Sequence, residues 1–286
     1  MIARDHHGND ASSSTVTLTL TARDTAGNSL TTGGLAVTFI TSGGVSTGTI
    51  ASTTDNNNGT YSAMFTGVIS GAATSIQGKI GGSNVTSTLP TVTVTAGAYT
   101  LAQSVVSVSS STVASGATLN LTMTAKDAAG NQQTAGGLVV TFVTSGGTST
   151  GTIAATTDNG NGTYTAVLTG VASGTATSIQ GKIAGSNVTS TLPTVTVTPG
   201  AASLSQSLVT VSGSSVTSGN TLTLTMTAKD ASGNQLTSGG LTVTFVTFGG
   251  SSTGTIGATT DNSNGTYTAV FTGVLAGTAT SISTAV

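Results

Sequence analysis

Three aspartates followed by amide-rich segments are the first side chains that could do chemistry. Asp55, Asp158 and Asp261 lie 103 residues apart, and Asn-Gly-Asn follows the second of them. Oxygen-rich segments of this kind can bind calcium, although the ion takes six to eight oxygens, several of them from carboxylates. An aspartate in such a segment also closes a turn by accepting a hydrogen bond from the backbone two residues on. The sequence favours turns here, with calcium sites as the alternative.

The histidines are too few and too poorly placed for catalysis. His6 and His7 are the only two, and the sequence has no cysteine and no glutamate. A nucleophile–base triad needs a histidine, and general acid–base catalysis needs a titratable pair in a pocket. Both histidines fall in the divergent first segment, where a solvated tail is favoured over a weak metal site. The sequence therefore predicts no enzymatic activity and no cofactor.

Several asparagines lie in Asn-X-Ser/Thr sequons, which accept N-linked glycans in secreted chains of organisms that glycosylate. The alternative interpretation is turn composition, because Asn-Gly by itself favours a hairpin. In a bacterium the turn interpretation is favoured. The glycosylation candidates are Asn58, Asn84, Asn120, Asn161, Asn187 and Asn264.

Lysines in such a chain could form an isopeptide bond with an asparagine. Lys126 and Lys229 are replaced by Arg23 in the first repeat, and arginine cannot do this chemistry. Lys79 and Lys182 recur, but the third repeat has alanine at that place. We therefore expect solvated lysines at strand edges, where they discourage unwanted edge pairing.

All these side chains belong to a repeat of 103 residues, which also relates Tyr61, Tyr164 and Tyr267. This period is too long for a solenoid coil or a propeller blade, but it matches an immunoglobulin-sized sandwich. We predict an all-β chain of tandem immunoglobulin-like β-sandwich domains arranged as beads on a string. The predicted domains are residues 1–97, 98–200 and 201–286, joined by short linkers at Ala96-Gly97 and Pro199-Gly200.

The composition excludes several classes of protein. Charged residues make up 5% of the chain, its net charge is −2, and it has only six lysines and arginines. Six basic residues cannot form a phosphate-binding stripe, which excludes nucleic acid as a partner. No run approaches 18 apolar residues, so no membrane span is predicted. Regular alternation of apolar residues at low charge argues against disorder.

The middle repeat reads as seven strands and no helix, because its apolar residues alternate with period two. Asp127-Ala-Ala-Gly-Asn131 reads as a turn in which Gly130 and Asn131 suit a positive φ. The predicted strands are Ser104–Val113 (strand A), Ala117–Lys126, Gly137–Ser145, Thr152–Thr157, Thr163–Gly170, Thr175–Ile183 and Val188–Thr198 (strand G). The predicted core residues are Leu119, Leu121, Met123, Val140, Phe142, Ile153, Tyr164, Ile179 and Val195. Tyr99 and Phe248 are the aromatics expected to be exposed.

The first and third repeats depart from this pattern. Repeat 1 opens with MIARDHHGND, whose Arg4, Asp5 and Asp10 fit a sandwich badly, so strand A is expected to be atypical or missing. Repeat 3 stops before the residues that correspond to strand G, which leaves an edge without its partner. The favoured explanation is a segment of a longer array, and the alternative is strand donation by another chain in a filament.

Recurring segments carry a family resemblance. LTMTAKDAAGNQ, GLVVTFVT, TTDNGNGTYTAVLTG and GTATSI follow one another in the middle repeat, and close variants follow in the other two. This set resembles the bacterial Ig-like repeats of invasin/intimin-type adhesins, and DNGNGTY with LPTVTVT also resembles filamin-type Ig repeats. The resemblance covers nearly the whole chain. It implies a surface or secreted protein in which such domains form a stalk or fibre.

Two functions remain open. The first is a structural extender or extracellular fibre, whose partners are neighbouring Ig-like repeats or identical chains. The second is an adhesive module that recognises carbohydrate or a surface protein, but sugar binding uses exposed aromatics and each repeat has few. Threonine-rich, weakly charged faces suit an extracellular or cell-surface location. The first ten residues contain no apolar signal-peptide region, so a signal was removed upstream or this segment is internal.

Overall fold

The computed structural model describes residues 10–286, in which every regular element is a β-strand. Within these residues no helix is long and apolar enough to cross a membrane. Repeat 1 contains β1 (Asp10–Ala11), β2 (Thr15–Thr21), β3 (Val37–Ser42), β4 (Thr47–Ile50), β5 (Thr54–Asp55), β6 (Thr60–Ile69), β7 (Thr74–Ile80), β8 (Ser83–Asn84), β9 (Thr91–Val92) and β10 (Val94–Thr95). Repeat 2 contains β11 (Val105–Val108), β12 (Thr112–Ala114), β13 (Thr118–Thr124), β14 (Val140–Ser145), β15 (Thr150–Ile153), β16 (Thr157–Asp158), β17 (Thr163–Ala172), β18 (Thr177–Ile183), β19 (Ser186–Asn187) and β20 (Thr194–Thr198). Repeat 3 contains β21 (Leu208–Val211), β22 (Thr221–Thr227), β23 (Thr244–Phe248), β24 (Thr253–Ile256), β25 (Thr260–Asp261), β26 (Thr266–Leu275) and β27 (Ser281–Ala285).

Repeat 2 shows the complete sandwich. Its first sheet has the order β11-β13-β17-β15, with β16 also on β17, and its second has the order β12-β20-β18-β14, with β19 on β18. Strands β13 and β17 pair antiparallel with Leu121 opposite Ala166. Strand β12 is different, because it pairs parallel to β20 with Val113 opposite Val197. The predicted all-β sandwich fold is therefore confirmed.

The core lies between the two sheets and follows from the alternation of apolar and polar residues. Leu119, Leu121 and Met123 of β13 point inward and are buried, because successive side chains of a strand point to opposite faces. Of the nine predicted core residues, Ile153 alone is half-buried, and it packs against the same core. The other eight are buried. The hydroxyl of buried Tyr164 accepts a hydrogen bond from the Leu138 amide at 3.1 Å, which ties the loop before β14 to the core.

Several strand predictions were wrong in detail. The predicted strand A is two strands, β11 and β12, because the chain crosses from the first sheet to the second near Ser109–Ser111. The predicted strand over residues 152–157 also divides, into β15 and β16, but both pair with β17 in the same sheet. Pairing in the last predicted strand is confined to β20. Tyr99 is half-buried against the core instead of exposed, whereas Phe248 is exposed as predicted.

Repeat 1 contains part of strand A, which its sequence predicts to be atypical or missing. Asp10 and Ala11 form β1, which pairs parallel to β10 with Asp10 opposite Val94. This is the counterpart of β12 on β20, so the second half of strand A is present. Arg4 and Asp5 lie outside the described residues.

Repeat 3 has an open groove where repeat 2 holds β12 and β20. Through Val286 its described residues form no counterpart of β12, β19 or β20, and β23 pairs with β27 alone. In repeat 2 the chain 112–114 is a strand because it pairs with β20, so the loss of one strand removes the other. The groove has a volume of about 350 Å³ and is lined by apolar side chains that include Val216, Leu222, Phe271 and Ile282.

Candidate functional site at the joints between repeats

The turn between β13 and β14 is a tightly hydrogen-bonded loop. Asp127 Oδ1 accepts hydrogen bonds from the Ala129 amide at 3.0 Å and from the Asn131 amide at 2.8 Å. Gly130 has a φ of +87°, as predicted for this turn, whereas Asn131 is not in the left-handed region. Because glycine has no Cβ, it adopts this conformation without strain. The turn therefore holds the Asp127 and Asn131 side chains in fixed positions.

The Asn131 side chain connects repeat 2 to repeat 1. Its Oδ1 accepts a hydrogen bond from the Ser70 amide at 2.9 Å, and its Nδ2 donates to the Val68 carbonyl at 2.8 Å. Val68 is the penultimate residue of β6, and Ser70 follows that strand directly. Both polar atoms of one carboxamide thus bind main-chain groups of the preceding repeat. This arrangement is the joint clamp.

Asp127 forms the second half of the clamp. Its Oδ2 accepts hydrogen bonds from the Ser12 hydroxyl of repeat 1, from the Gly97 amide at 2.8 Å and from Asn131 Nδ2 at 3.0 Å. The residue is only 1% exposed. Burial raises the pKa of this carboxyl, but the hydrogen bonds from Ser12, Asn131 and Gly97 outweigh burial and hold the pKa below its ordinary value. The carboxylate is therefore charged at neutral pH.

The second joint repeats this clamp with the counterparts of these residues. Asn234 Oδ1 accepts from the Ser173 amide at 2.9 Å, and its Nδ2 donates to the Val171 carbonyl at 2.8 Å. Asp230 Oδ2 accepts from the Gly200 amide at 2.9 Å. Burial raises the pKa of Asp230, and the hydrogen bonds from Gly200 and Asn234 again bring it below its ordinary value.

The two joints differ in two of their hydrogen bonds. Ser115 is the counterpart of Ser12, but its hydroxyl oxygen lies at a hydrogen-bond distance of 2.8 Å from the Ser232 hydroxyl, and repeat 2 has Ala129 without a hydroxyl at the place of Ser232. Joint 1 also contains a hydrogen bond of 2.7 Å from Gln133 Nε2 to the Gly97 carbonyl. Leucine replaces this glutamine in repeat 3. The Asp–Asn pair is the part that both joints share.

The calcium candidates lie on turns in which each carboxylate binds main-chain amides of its own repeat. Asp158 Oδ1 accepts from the Gly160 amide at 2.9 Å, and Oδ2 accepts from the Gly137 amide at 2.6 Å. Asp55 and Asp261 make the same two kinds of bond, including the bond to the backbone two residues on that the turn interpretation predicts. From Asp10 to Val286, no group of three or more histidine, cysteine, aspartate or glutamate side chains could hold a metal ion. His6 and His7 lie outside the described residues.

The six glycosylation candidates are all exposed, in accordance with a position on turns and outer strand faces. In Asn161-Gly-Thr163, however, Asn161 Oδ1 already accepts from the Thr163 amide at 3.1 Å and from its hydroxyl at 2.6 Å. These bonds show a structural role in the turn and do not test glycosylation. Lys79, Lys126, Lys182 and Lys229 are half-buried.

Sequence reasoning identified the Asp127–Asn131 segment as a turn but missed its role in the joint. The signal was available, since Asp-X-X-Gly-Asn recurs as Asp24–Asn28 and Asp230–Asn234 at the same spacing. The recurrence of the asparagine in all three repeats is therefore a signal of a further role, but it does not identify the partner of that residue.

Comparison with known proteins decides the family. The model of a family described as "Invasin, domain 3" matches residues 7–97, 100–200 and 203–286. The chain belongs to the invasin domain 3 family. The match to its three invasin domain 3 repeats confirms the resemblance that the recurring motifs indicate, and supports a role as the stalk or a binding module of a cell-surface adhesin. A search of curated proteins found no match.

Solved structures of adhesins have similar folds. FdeC, an adhesin of Escherichia coli, is 29% identical with a TM-score of 0.55, and the match covers 93% of this chain and 85% of that chain. InvD of Yersinia pseudotuberculosis is 24% identical with a TM-score of 0.49, over 96% of this chain and 78% of that chain. Invasin, a bacterial integrin-binding protein, is 21% identical with a TM-score of 0.49, over 97% of this chain and 55% of that chain.

Proposed function

We propose that this chain is a stalk segment of an extracellular adhesin, with domains at 1–97, 98–200 and 201–286. Its task is to hold a binding part away from the cell surface. The observation that carries this proposal is the clamp of Asn131 and Asn234, each of which binds the main chain of the preceding repeat through both atoms of its carboxamide. Two repeats joined by a free linker would need no such contact.

The clamp limits bending for a physical reason. Separating the repeats would leave the Val68 carbonyl and the Ser70 amide without their partners and would expose the charged, hydrogen-bonded Asp127 to solvent. Each hydrogen bond makes a net contribution to stability of about 0.5–1.5 kcal/mol, and each bond to a charged group contributes about 1.5–3 kcal/mol. Several such bonds around one short linker favour a single orientation. A stalk requires this property and a flexible tether does not.

An adhesive module is the alternative, and the surface gives it less support. Carbohydrate recognition relies on exposed aromatic rings, and the aromatic residues at the centre of each repeat, such as Tyr61 and Phe142, are buried. Phe248 is exposed, but the corresponding residues of the other repeats are serines. The weak charge and threonine-rich faces suit an extracellular position. We propose no enzymatic activity and no calcium requirement.

Small-angle scattering of residues 1–286 tests the stalk. Three sandwiches of about 35–40 Å each, placed end to end, give a rod whose radius of gyration is about 30 Å. A compact single domain of this length would have about 19 Å. In a second experiment, beads coated with the protein are tested for adhesion to cells and to glycan arrays. A rod without adhesion supports the stalk, whereas saturable adhesion would support the binding module instead.

A further inference from the structure

The two sheets of repeat 2 end in four edge strands, and three of these resist further pairing. Strands β11 and β12 have only four and three residues, and β15 has four residues with a register shift between Thr150 and Gly151. Short strands and bulges are devices that prevent association between sheet edges. The fourth edge strand, β14, has six residues and pairs with β18 alone, without a register shift. Residues 136–147, which contain β14, include no proline and no charged residue.

The hydrogen bonds of β14 leave one row of its main-chain groups without partners. The Ala184 amide donates to the Val139 carbonyl at 2.8 Å, and antiparallel pairs alternate between bonded and non-bonded. Thr144 lies opposite Ile179, whose amide donates instead to the Pro193 carbonyl at 2.9 Å. The amides and carbonyls of alternate residues of β14 therefore face away from β18. Within residues 10–286 these groups have no hydrogen-bond partner, and they belong to Val140, Phe142 and Thr144.

This edge recurs in the other repeats and does not depend on where the chain begins or ends. Strand β3 has six residues and pairs with β7 alone, and the Gly81 amide donates to the Ala36 carbonyl at 2.9 Å. In repeat 2 both neighbouring repeats are in place, and β14 still pairs on one side only. Lys182 does not protect this edge, because it lies on β18, which is an inner strand of the sheet.

We propose that β14 of one chain pairs antiparallel with β14 of a second copy, about a twofold axis at Phe142. Val140 then lies opposite Thr144 of the second copy, and the groups that face away from β18 form hydrogen bonds in both directions. The β12-β20-β18-β14 sheets of the two chains become one continuous sheet. Because both chains use the same surface, the contact closes on itself and joins two chains side by side.

The side chains and charges at this edge suit a second copy. Thr141 of each chain lies opposite Val143 of the other on the outer face, where both are exposed, and β-branched side chains pack well across strands. Lys182 is the charged residue opposite Thr141 on β18. Its two copies would lie three strand spacings apart, about 14 Å, where salt screens most of the repulsion. A net charge of −2 gives little repulsion between whole chains.

Other occupants of the edge are less suited to it. Repeats 1 and 3 are held at the joints through Asn131 and Asn234, and in that position they leave β14 unpaired on this side. A flexible peptide would lose conformational freedom when it became a strand. β14 of a second copy is already extended and needs no such ordering. The contact goes beyond the proposed function, since it does not use the joints.

Thr141 and Val143 are the positions for a chemical trap of this contact. They face each other as a non-hydrogen-bonded pair with Cα atoms about 4.5 Å apart, which a disulfide can span. Two copies of either residue lie on a diagonal, about 7–8 Å apart. Chains 1–286 with Thr141→Cys are mixed with chains with Val143→Cys under oxidised glutathione, which takes up the two electrons released when two thiols form a disulfide. The chain has no other cysteine, so every disulfide between protein thiols joins two chains.

The mixture should form a disulfide-linked dimer several-fold faster than either variant alone. Thr144→Pro in both chains should reduce that rate to the level of the single variants, because it removes an amide that faces the second copy and leaves the bonds to β18 intact. Thr144→Val is the matched control, since it keeps the amide, and it should leave the rate unchanged. A mixture no faster than the single variants, or one equally fast with Thr144→Pro, overturns the proposal. The first comparison holds even if Thr144→Pro impairs folding.

A peptide of residues 138–146 with cysteine in place of Val143 tests the other occupant. At equal concentration it should trap the Thr141→Cys chain several-fold more slowly than the Val143→Cys chain does. An equal rate would mean that the edge captures any extended strand, and it would overturn the pairing with a second copy. Scattering of the Thr144→Pro chain keeps the two proposals apart, because a compact particle there refutes the stalk, whereas a failed trap refutes only the contact between chains.

Discussion

Asn131 and Val68 belong to different repeats, yet the Asn131 carboxamide donates a hydrogen bond of 2.8 Å to the Val68 carbonyl. Through the neighbouring bond to the Ser70 amide, this one side chain takes the place of a paired strand at the end of β6. These main-chain groups are partly buried at the joint, and a polar group that loses its partner away from water destabilises the structure. The orientation of two sandwiches therefore depends on a few atoms.

Asn131→Ala should loosen joint 1 and leave both sandwiches folded. The substitution removes two hydrogen bonds across the joint, worth about 0.5–1.5 kcal/mol each. Spin labels on repeats 1 and 2 would show a broader distance distribution in electron paramagnetic resonance, while the distribution between repeats 2 and 3 stays unchanged. Asn28→Ala is the matched control, since it changes the corresponding turn of repeat 1, which is not part of joint 1. Equal broadening in both variants would mean that the turn, and not the clamp, sets the orientation.

Gly200→Ala should disrupt joint 2. A Cβ at this position would lie 2.6 Å from the Ser115 carbonyl oxygen, which is too close for carbon and oxygen, so one backbone must move. We expect the mean distance between labels on repeats 2 and 3 to shift. Gly257→Ala is the control, because its Cβ would make an ordinary contact of 3.7 Å with the Val270 carbonyl. An unchanged mean distance in Gly200→Ala would contradict the close approach.

Acid should release the joints. The pKa values of Asp127 and Asp230 are lowered in the folded protein, so their contribution is complete above the ordinary carboxyl pKa of about 3.9 and is lost as the pH falls through the lowered values. Labelled protein should keep narrow inter-repeat distances from pH 7 to about 4 and show broad ones near pH 2. Distances that remain narrow at pH 2 would show that the charged carboxylates do not hold the joints.

Phe142→Ala should destabilise repeat 2 by about 3–5 kcal/mol, because it leaves a cavity in the core between the sheets. Chemical denaturation, followed by the fluorescence of a probe on the repeat that carries the substitution, measures the loss. Phe248→Ala is the comparison, since that ring is 58% exposed and its removal should cost little. Similar effects of the two substitutions would refute the assignment of inner and outer faces.

A strand added after Val286 should stabilise repeat 3. Appending the sequence of residues 184–199 supplies a counterpart of β20, whose two valines would fill the groove lined by Leu222 and Phe271. Each buried valine is worth about 1.5–3 kcal/mol, so a rise of several kcal/mol in the free energy of unfolding is expected. Amides of 266–286 should also become more protected from hydrogen exchange. The same extension with both valines changed to threonine is the control, and an equal effect would exclude filling of the groove.

The sequence predicted the fold well because the signals for it are local. The alternation in β13 and the turn glycines are patterns of residues that are close in sequence. The 103-residue period is seen by comparing corresponding positions of the repeats. The split of strand A was missed because it depends on where β20 ends, some 80 residues away. The joint was missed for the same reason, since Asn131 meets Ser70 across 61 positions. An asparagine that only closes a turn and one that also binds the preceding repeat cannot be told apart from the residue type alone.

The parallel pairing of β12 with β20 has a mechanical consequence. These strands lie near the two ends of repeat 2, and β1 with β10 have the same arrangement in repeat 1. A pull along the chain slides such strands past each other, so it loads all their hydrogen bonds together, whereas antiparallel terminal strands would open one bond at a time. Under fluid flow, the first two repeats should therefore resist tension by shear, and their lifetime under load is set by a single high unfolding barrier.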